Sequence, residues 1–408
     1  MKKILIAILL FFTITGYAQT YKKGDAVQIE WKNLWYPGKI VEVKGDKFLI
    51  SYDGYDASWN ETVGKDRLKA ASTNTTTTTT TATTTSSTTS TTETKWSYKG
   101  VESVWDLTLS PDGKYVLAAS AYGKLIILNA ADLTLVSEIK LTDGRPIFTA
   151  AWSHDGNYIA TGYSDGNGIV YARKEGVQFT VFDTLEGYAS IADVRFNPKK
   201  LELAVSGAPI KDYTLSKLDI WDIAKKKIKV KVIDAVKWGT NPTALAYSDD
   251  GTKLAVSYAY DRKGIEVFDS TGKIINKINH TVEVDCIDFS PDGGMIVSGG
   301  IDCSVSLWNL ATNKAVWTKR WNTGSEDYVS AVAFAPNGLS VAACGMGTGT
   351  PVKIFNLASG SLLHELGTTN PVGNCISYSG DSKYIFVGYT TYGDIAKVSM
   401  VQKFEIPK

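Results

Sequence analysis

The sequence has almost no net charge. Its 43 lysine and arginine residues are balanced by 42 aspartate and glutamate residues, which gives a formal charge of +1 at pH 7. A chain so close to neutrality has no overall field that would attract DNA or an anionic membrane surface. We therefore expect no nucleic-acid partner. The lack of a second long apolar run predicts no insertion into a membrane.

Histidine and cysteine are scarce. The three histidines, His154, His280 and His364, are far apart in the chain. They form no HxxH or HxE pattern, so the sequence predicts no zinc or iron centre and no cofactor. The four cysteines, which include no CxxC pair, are Cys286, Cys303, Cys344 and Cys375. Each lies in or beside an apolar segment, which favours buried free thiols over disulfides.

Long apolar runs are also lacking, apart from one at the N-terminus. The segment MKKILIAILLFFTITGYAQ has two lysines, an apolar run from Ile4 to Ile14 and small residues before Gln19. This pattern predicts a signal peptide over residues 1–18. A membrane anchor would need about 20 apolar residues, and no cysteine follows the cleavage point for lipid attachment. We expect an exported protein, secreted or periplasmic, without a transmembrane helix.

A threonine-rich segment separates two regions. Residues 70–95 contain STNTTTTTTTATTTSSTTSTTETK, which cannot bury an apolar face. Such a composition is typical of a disordered tether. The tether separates a small domain over residues 19–69 from a large region over residues 96–408.

The large region repeats a unit with a fixed spacing. Its turns SPDG, SHDG, NPKK, SDDG, SPDG, APNG and SGDS begin at residues 110, 153, 197, 248, 290, 335 and 379. Each turn follows an alternating apolar strand and precedes a strand of small residues, and a third strand then ends in Asn or Asp. A period of about 40 to 45 residues is that of a four-stranded propeller blade. The pattern predicts an all-β fold with seven blades.

Residues 96–408 resemble the WD40 repeat family, and the fifth unit, NHTVEVDCIDFSPDGGMIVSGGIDCSVSLWN, is the best match. The resemblance implies a structural tetrad that links the strands of this blade through hydrogen bonds. Its members would be His280, Ser298, Asp302 and Trp308. Because the other units depart from this pattern, we expect their blades to rely on apolar packing. We also expect KWSYKG, residues 95–100, to pair with the last blade and close the ring; the C-terminal KFEIPK is the alternative.

The small domain alternates apolar and polar residues in AVQIEW, GKIVEVKG and KFLISY. This alternation predicts four or five short antiparallel strands, curled into a small barrel of the SH3 or Tudor kind. Alternate members of one apolar set should point inward: Val27, Ile29, Ile40, Val41, Val43, Phe48, Leu49 and Ile50.

The order WYPGKIVEV, KFLISYDGYDASWNETV and DRL is similar to the chromo-barrel, Tudor-knot and Agenet group. In chromo-barrels, aromatic rings surround a methylated lysine. The resemblance places this aromatic cage at Tyr36, Tyr52, Tyr55 and Trp59. Ring faces attract poorly hydrated ammonium groups, so a peptide, methylammonium or glycan ligand fits an exported protein. The alternative, that these rings pack the core of a small barrel, stays open.

Three other motifs have structural explanations. GYSDG, Gly162–Gly166, matches a nucleophile elbow around Ser164, but it lies on a predicted hairpin with no following helix. GMGTGT, Gly345–Thr350, resembles a phosphate loop and also lacks the helix. AKKKIKVKV, residues 224–232, should be the solvated edge strand of the third blade, where lysines discourage strand addition.

These features favour an exported, non-enzymatic scaffold that binds protein partners through its propeller loops, with a second ligand on the tethered barrel. The longer loops APIKDYTLSK and YAYDRK are the first candidate surfaces. One alternative is a propeller-type metal-dependent hydrolase or lactonase. It would need carboxylates or histidines converging at the starts of the inner strands, where we expect mainly apolar or small residues. A cell-surface polysaccharide-binding protein is the other alternative.

Overall fold

The chain forms two units of antiparallel β-sheet, residues Met1–Thr84 and Thr85–Lys408. The computed structural model describes residues 21–31, 34–52, 60–70, 96–101, 103–140, 144–210, 215–237, 242–259, 263–280, 282–320, 328–346, 351–367, 372–390 and 401–407. The predicted signal peptide and nearly all of the predicted tether lie outside these residues.

The first unit contains one five-stranded sheet with strand order β4-β3-β2-β1-β5. Its strands are β1 (Ala26–Trp31), β2 (Leu34–Lys44), β3 (Lys47–Tyr52), β4 (Glu61–Gly64) and β5 (Leu68–Ala70). A 3₁₀ turn, Lys65–Arg67, precedes β5. The core of the first unit contains Val27, Ile29, Ile40, Phe48, Ile50, Tyr52, Val63 and Leu68.

Alternate members of the predicted apolar set do point inward. Phe48 and Ile50 are buried, whereas Leu49 between them is only partly buried. Val43 is 43% exposed and lies beside the turn of the hairpin at Gly45. The predicted alternation therefore holds along β3.

The second unit contains seven four-stranded sheets among the described residues. Strand β6 (Trp96–Tyr98) belongs to the last sheet. Sheet 1 consists of β7 (Val104–Leu109), β8 (Tyr115–Ser120), β9 (Lys124–Asn129) and β10 (Leu135–Lys140). Sheet 2 consists of β11 (Ile147–Trp152), β12 (Tyr158–Tyr163), β13 (Gly166–Glu175) and β14 (Gln178–Leu185). Sheet 3 consists of β15 (Tyr188–Phe196), β16 (Glu202–Pro209), β17 (Leu215–Asp222) and β18 (Lys227–Lys237).

The remaining sheets follow the same order, except for the last. Sheet 4 consists of β19 (Pro242–Tyr247), β20 (Lys253–Tyr258), β21 (Gly264–Asp269) and β22 (Ile274–Asn279). Sheet 5 consists of β23 (Val284–Phe289), β24 (Met295–Gly300), β25 (Ser304–Asn309) and β26 (Lys314–Arg320). Sheet 6 consists of β27 (Tyr328–Phe334), β28 (Ser340–Met346), β29 (Val352–Asn356) and β30 (Leu362–Leu366). Sheet 7 combines β31 (Val372–Tyr378), β32 (Tyr384–Thr390) and β33 (Val401–Glu405) with β6.

The repeated turns explain why the sheets recur with a fixed period. In sheet 1, Ser110 Oγ donates to Asp112 Oδ1 at 2.7 Å and accepts from the Tyr115 amide at 3.0 Å. Gly113 takes the left-handed conformation that ends the turn, with φ +68°. The SHDG, SDDG and second SPDG turns repeat these contacts. Each turn thus joins a first strand to a second strand in the same way.

The first strand of each sheet contacts the first strand of the next, and β31 contacts β7, so the order of contacts is circular. The N-terminal strand β6 pairs antiparallel with β33 as the outer strand of sheet 7. This confirms the prediction that the KWSYKG segment pairs with the last sheet, while part of KFEIPK lies in its third strand. Apolar clusters fill the space between neighbouring sheets, as where Val297 and Trp317 of sheet 5 pack with Phe355 of sheet 6.

The two ends of the first strands define two faces of the ring. We call the face where the first strands begin the upper face and the opposite one the lower face. In an antiparallel sheet, the turn between the second and third strands lies on the upper face. The other two turns of each sheet lie on the lower face.

Candidate functional site

The inner strands are joined by side chains that cap the main chain of the next sheet. Asp106 Oδ2 accepts a hydrogen bond from the Ala150 amide at 3.0 Å, and Asp193 Oδ2 accepts one from the Leu245 amide at 2.8 Å. Asp288 Oδ2 accepts one from the Phe334 amide at 2.8 Å. An inner strand is the edge of its sheet, so these carboxylates satisfy edge amides that would otherwise lack a partner.

Arg195 crosses from sheet 3 to sheet 1. Its Nη1 donates to Asp106 Oδ2 at 2.9 Å and lies 3.0 Å from Asp193 Oδ1. Thr149 of sheet 2 lies between the two carboxylates, with Oγ1 2.9 Å from Asp106 Oδ2 and 2.8 Å from Asp193 Oδ1. We call Asp106, Thr149, Asp193 and Arg195 the inner network. It connects three consecutive sheets.

Burial perturbs the charges of these inner-strand groups. Burial raises the pKa of Asp193 to about 6, although Arg195 opposes this effect. Burial raises the pKa of Asp288 to about 7. For Arg195, burial works to lower the pKa, but Asp106 and Asp193 outweigh it and raise the pKa above the usual value. The ring interior therefore holds carboxylates whose ionised form is disfavoured and one arginine whose protonated form is favoured.

The starts of the inner strands are mainly apolar or small, as expected, but charged residues lie further along the inner strands of sheets 1, 3 and 5. There the chain places carboxylates and Arg195 toward the ring interior. The carboxylates bind main-chain amides and the arginine, which are structural partners. Among the described residues, no group of three or more His, Cys, Asp or Glu side chains is arranged to hold a metal ion. The signal that the sequence offered was a charged residue inside an otherwise apolar strand, as in IADVRF.

The structure brings together three of the four residues assigned to the WD40 tetrad. Trp308 Nε1 donates to Ser298 Oγ at 2.9 Å, and the Trp308 and His280 rings meet edge to face with centroids 5.5 Å apart. Burial lowers the pKa of His280, although Asp302 opposes this effect. Asp302 accepts hydrogen bonds from the amide and hydroxyl of Ser304 in its own turn.

Sheet 3 has a different polar chain at the equivalent place. Tyr188 Oη donates to Asp219 Oδ2 at 2.7 Å and accepts from Trp221 Nε1 at 3.2 Å. Lys217 Nζ lies 3.1 Å from the same Asp219 oxygen and 3.7 Å from the centre of the Tyr188 ring. This cluster is buried. The expectation that the units other than the fifth rely on apolar packing is therefore wrong for this sheet.

Sheets 2 and 4 also use buried tyrosines. In sheet 2, the hydroxyls of Tyr163 and Tyr171 lie 3.3 Å apart, and Thr161 Oγ1 donates to Tyr163 Oη at 3.1 Å. In sheet 4, Tyr258 Oη donates to Glu266 Oε2 at 3.1 Å. In both sheets, the tyrosine at the end of the second strand makes a buried polar contact within its own sheet.

Tyr52 is the one predicted cage residue whose side chain lies within the described part of the first unit. Tyr52 is only 8% exposed and belongs to the core of the five-stranded sheet. Its hydroxyl donates to Glu61 Oε1 at 2.5 Å, and Arg67 Nη2 pairs with the same oxygen at 2.7 Å. The hydrogen bond from Arg67 lowers the pKa of Glu61. Tyr55, Trp59 and the side chain of Tyr36 lie outside the described residues.

The described residues of the GYSDG, GMGTGT and AKKKIKVKV motifs lie in strands and turns. Ser164 lies in the hairpin between β12 and β13. Gly345 and Met346 are the last residues of β28, and residues 347–350 lie outside the described part of the chain. Strand β18 is the outer strand of sheet 3, with Lys227, Lys229 and Lys231 exposed, as predicted. All four cysteines are buried and free, which confirms the expectation of buried thiols.

Exposed apolar side chains recur on the upper face. The turn between the second and third strands carries Tyr122 in sheet 1, Ile210 in sheet 3 and Ile301 in sheet 5, with exposures of 60%, 54% and 51%. Ile210 lies in the predicted long loop APIKDYTLSK. Residues 211–214 of that loop and 260–262 of YAYDRK lie outside the described residues. We call these three side chains the upper apolar positions.

Comparison with known families agrees with this architecture. Residues 93–128, 136–171 and 272–309 match the family model described as WD domain, G-beta repeat. The large unit therefore contains WD40 repeats in an all-β arrangement consistent with a propeller. Within the described residues, no helix has the length and apolarity needed to cross a membrane.

Individual relatives match over a limited segment. The chain is 37% identical over 121 residues to the small ribosomal subunit protein RACK1 of Candida albicans, covering 28% of this chain and 36% of that protein. It is 32% identical over 125 residues to the small ribosomal subunit protein RACK1 of Caenorhabditis elegans, covering 28% of this chain and 36% of that protein. It is also 32% identical over 124 residues to the cross-pathway control WD-repeat protein 2 of Flammulina velutipes, covering 28% and 37%. The chain thus spans about a third of the length of these relatives.

Proposed function

We propose that this chain is an exported, non-enzymatic binding protein. In this proposal, a signal peptide over residues 1–18 is removed, and a Tudor-like or chromo-barrel-like domain over residues 19–69 is tethered by residues 70–95. Residues 96–408 form a seven-bladed WD40-like propeller that binds protein partners. The WD40 repeats and the circular order of sheets support the platform role.

One observation carries the proposal: the charged groups of the inner network are engaged with one another, while apolar groups recur on the surface. Asp106 and Asp193 each bind a main-chain amide of the next sheet as well as Arg195. The upper apolar positions, by contrast, are more than half exposed. An exposed apolar side chain on a loop offers surface that a protein partner can cover.

The barrel would supply the second ligand site. In this part of the proposal, Tyr36, Tyr52, Tyr55 and Trp59 surround a peptide, methylammonium or glycan group. The hydrogen bond from Tyr52 to Glu61 would fix the orientation of one ring. Two weak contacts on one tethered chain reinforce each other through effective concentration.

The platform is tested by comparing two triple variants of the full chain. One carries Tyr122→Ser, Ile210→Ser and Ile301→Ser at the upper apolar positions. The control carries Leu135→Ser, Val181→Ser and Leu362→Ser, which remove equally exposed apolar side chains from outer strands. Crosslinking and mass spectrometry in the source organism should lose partners with the first variant only. Identical partner sets for both variants and the parent would contradict the proposed platform role.

One equivalent of bound Ca²⁺ or Zn²⁺ per chain would favour the hydrolase alternative.

The barrel and the export signal need separate tests. Tyr55→Ala should weaken binding of a trimethyllysine peptide or of choline, and unchanged binding would remove the cage. Tyr52→Ala is unsuitable because Tyr52 belongs to the core.

Export predicts that the natively produced protein begins at Gln19, which N-terminal sequencing checks.

A further inference from the structure

A cavity of about 550 Å³ lies on the lower face, where sheet 7 meets sheet 1. Its rim contains the turns around Asp112 and Asp381 and the segment Asn129–Ala131. Tyr384, Phe386 and Lys403 also line it. We call this cavity the seam pocket.

Lys403 is a buried cation in this pocket, with only 6% of its surface exposed. Its Nζ donates to the carbonyl oxygens of Ala130 and Ala131 at 3.0 and 2.9 Å. The ammonium also lies over the rings of Trp96 and Tyr384, 4.6 and 4.0 Å from their centres. These contacts favour the charged form.

Lys403 nevertheless lacks a counter-ion. Within the described part of the chain, no carboxylate lies within ion-pair distance of Nζ, and the two carbonyl groups are its hydrogen-bond acceptors. Burial lowers the pKa of Lys403, although Asp381, Asp132 and Glu405 oppose this from a longer range. A buried ammonium without an anionic partner is costly.

The carboxylates on the rim do not fill this role, because their own turns engage them. Asp112 accepts from Ser110 Oγ and the Lys114 amide, and it pairs with Lys114 Nζ at 3.2 Å. Asp381 accepts from Ser379 Oγ and the Lys383 amide, and it pairs with Lys383 Nζ at 3.5 Å. These neighbouring lysines offset the rim charges, and neither rim carboxylate pairs directly with Lys403.

We propose that the seam pocket binds a carboxylate carried on an apolar group. The carboxylate would accept the third proton of Lys403 and pair with its charge, while the apolar group would pack on Tyr384 and Phe386. A peptide C-terminus and a small carboxylic acid share this chemistry. The site lies on the face opposite the upper apolar positions and does not depend on the scaffold function.

The probe is 3-phenylpropionate, with uncharged 3-phenylpropanamide as its matched control. Titration of the full chain, followed by calorimetry and by NMR, should give saturable binding of the acid. We expect the amide to bind at least about tenfold more weakly, because it cannot pair with the ammonium. Equal binding of the two compounds would overturn the proposal.

Gly380→Trp tests the location without changing Lys403. Gly380 lines the pocket, and a Cβ added there meets no atom within 4 Å, so an indole can occupy the space without displacing the turn. His154→Trp is the matched control, because exposed His154 holds the same turn position in sheet 2. Gly380→Trp should abolish binding of 3-phenylpropionate, and His154→Trp should leave it unchanged. Binding that survives in Gly380→Trp contradicts the assignment.

Lys403→Met and Lys403→Arg then test the charge. The methionine variant should lose binding, whereas the arginine variant should retain part of it. Because Lys403 also joins sheets 7 and 1, thermal unfolding of each variant checks the fold, and Gly380→Trp decides the question if Lys403→Met unfolds. A peptide ending in Phe, with a free or an amidated C-terminus, separates the two ligand sources. Binding of the free-acid peptide indicates a peptide end, and binding of 3-phenylpropionate alone indicates a small acid.

Discussion

The inner strands of sheets 1 to 3 and those of sheets 5 to 7 hold equivalent places in the ring but are joined by different chemistry. The position four residues before the repeated turn is polar in the first group, where it is Asp106, Thr149 and Asp193. In the second group the same position is Cys286, Ala331 and Cys375. The first group forms a hydrogen-bonded network around Arg195, and Cys286 and Cys375 of the second group belong to apolar clusters.

This difference shows that the ring geometry does not dictate one kind of inner contact. A buried polar network stabilises the fold only while every member keeps its partners. An apolar cluster depends on filled volume and tolerates no new polar atom. The two halves should therefore respond to opposite kinds of substitution.

The largest effect is expected from Arg195→Met, which removes the cation of the polar half and keeps a side chain of similar length. Asp106 and Asp193 would then share a buried place without a positive charge. Loss of one partner from a buried ion pair typically costs about 3–5 kcal/mol. Urea unfolding followed by tryptophan fluorescence measures the change.

Two control variants make this prediction specific. Arg173→Met removes an arginine that lies over the Trp152 and Phe179 rings, and it should cost only about 1 kcal/mol. Adding Asp193→Asn to Arg195→Met should recover part of the loss, because one uncompensated charge is removed. A cost for Arg195→Met no greater than that for Arg173→Met would mean that the inner network contributes little.

The next largest effects come from exchanging polar and apolar character between the halves. Cys375→Ser places a hydroxyl in an apolar cluster with Val104 and Phe386, where Cys375 is 5% exposed. An unsatisfied buried hydroxyl costs about 1–3 kcal/mol. Thr149→Val is the reciprocal change, because it keeps the shape but removes the hydroxyl between two carboxylates. Both variants should lower the unfolding midpoint in urea, and a stabilised Cys375→Ser would contradict the division into two halves.

The sequence allowed the periodic parts of this fold to be predicted, because local chemistry determines them. The repeated Ser-x-Asp-Gly turns require a glycine with positive φ and place strand ends at fixed intervals. Third strands accordingly end at Asn129, Asp222, Asp269, Asn309 and Asn356, as the pattern indicated.

The contacts of Arg195 and Tyr188 could not be predicted in the same way. Arg195 reaches Asp106, which is 89 positions earlier, across an intervening sheet. Tyr188 substitutes for a serine on another strand, so no motif in sheet 3 resembles the tetrad of sheet 5. Such contacts depend on how sheets stack, which periodicity does not encode.

Each half holds an inner-strand carboxylate whose raised pKa should make stability depend on pH, Asp193 in the first half and Asp288 in the second. The pKa of Asp288 is raised to about 7 by burial, whereas an unfolded aspartate titrates near about 3.9. The folded chain therefore binds more protons than the unfolded chain between these values, so stability falls as the pH rises through this window. Asp288→Asn removes this contribution. Between pH 5 and pH 8, the variant should lose less unfolding free energy than the parent, by roughly 2–3 kcal/mol.

Asp250→Asn is the matched control for this pH effect. Hydrogen bonds from Ser248 and Thr252 lower the pKa of Asp250 to about 2. Its contribution is present above the unfolded pKa and is lost only as the pH falls below about 4. The variant should therefore keep the parent's change between pH 5 and pH 8. Equal changes in Asp288→Asn and the parent would show that Asp288 does not titrate in this window.

The smallest effect separates the tetrad of sheet 5 from the tyrosine cluster of sheet 3. Trp308→Phe removes the donor to Ser298 Oγ, and no other partner of that buried hydroxyl is present among the described residues. Trp221→Phe removes a donor to Tyr188, which keeps its bond to Asp219. Both variants lose similar packing, so Trp308→Phe should cost about 1 kcal/mol more than Trp221→Phe. In a double-mutant cycle with Ser298→Ala, this excess should disappear. If both tryptophan variants unfold at the same urea concentration, the hydrogen bond in sheet 5 adds no more than its counterpart in sheet 3.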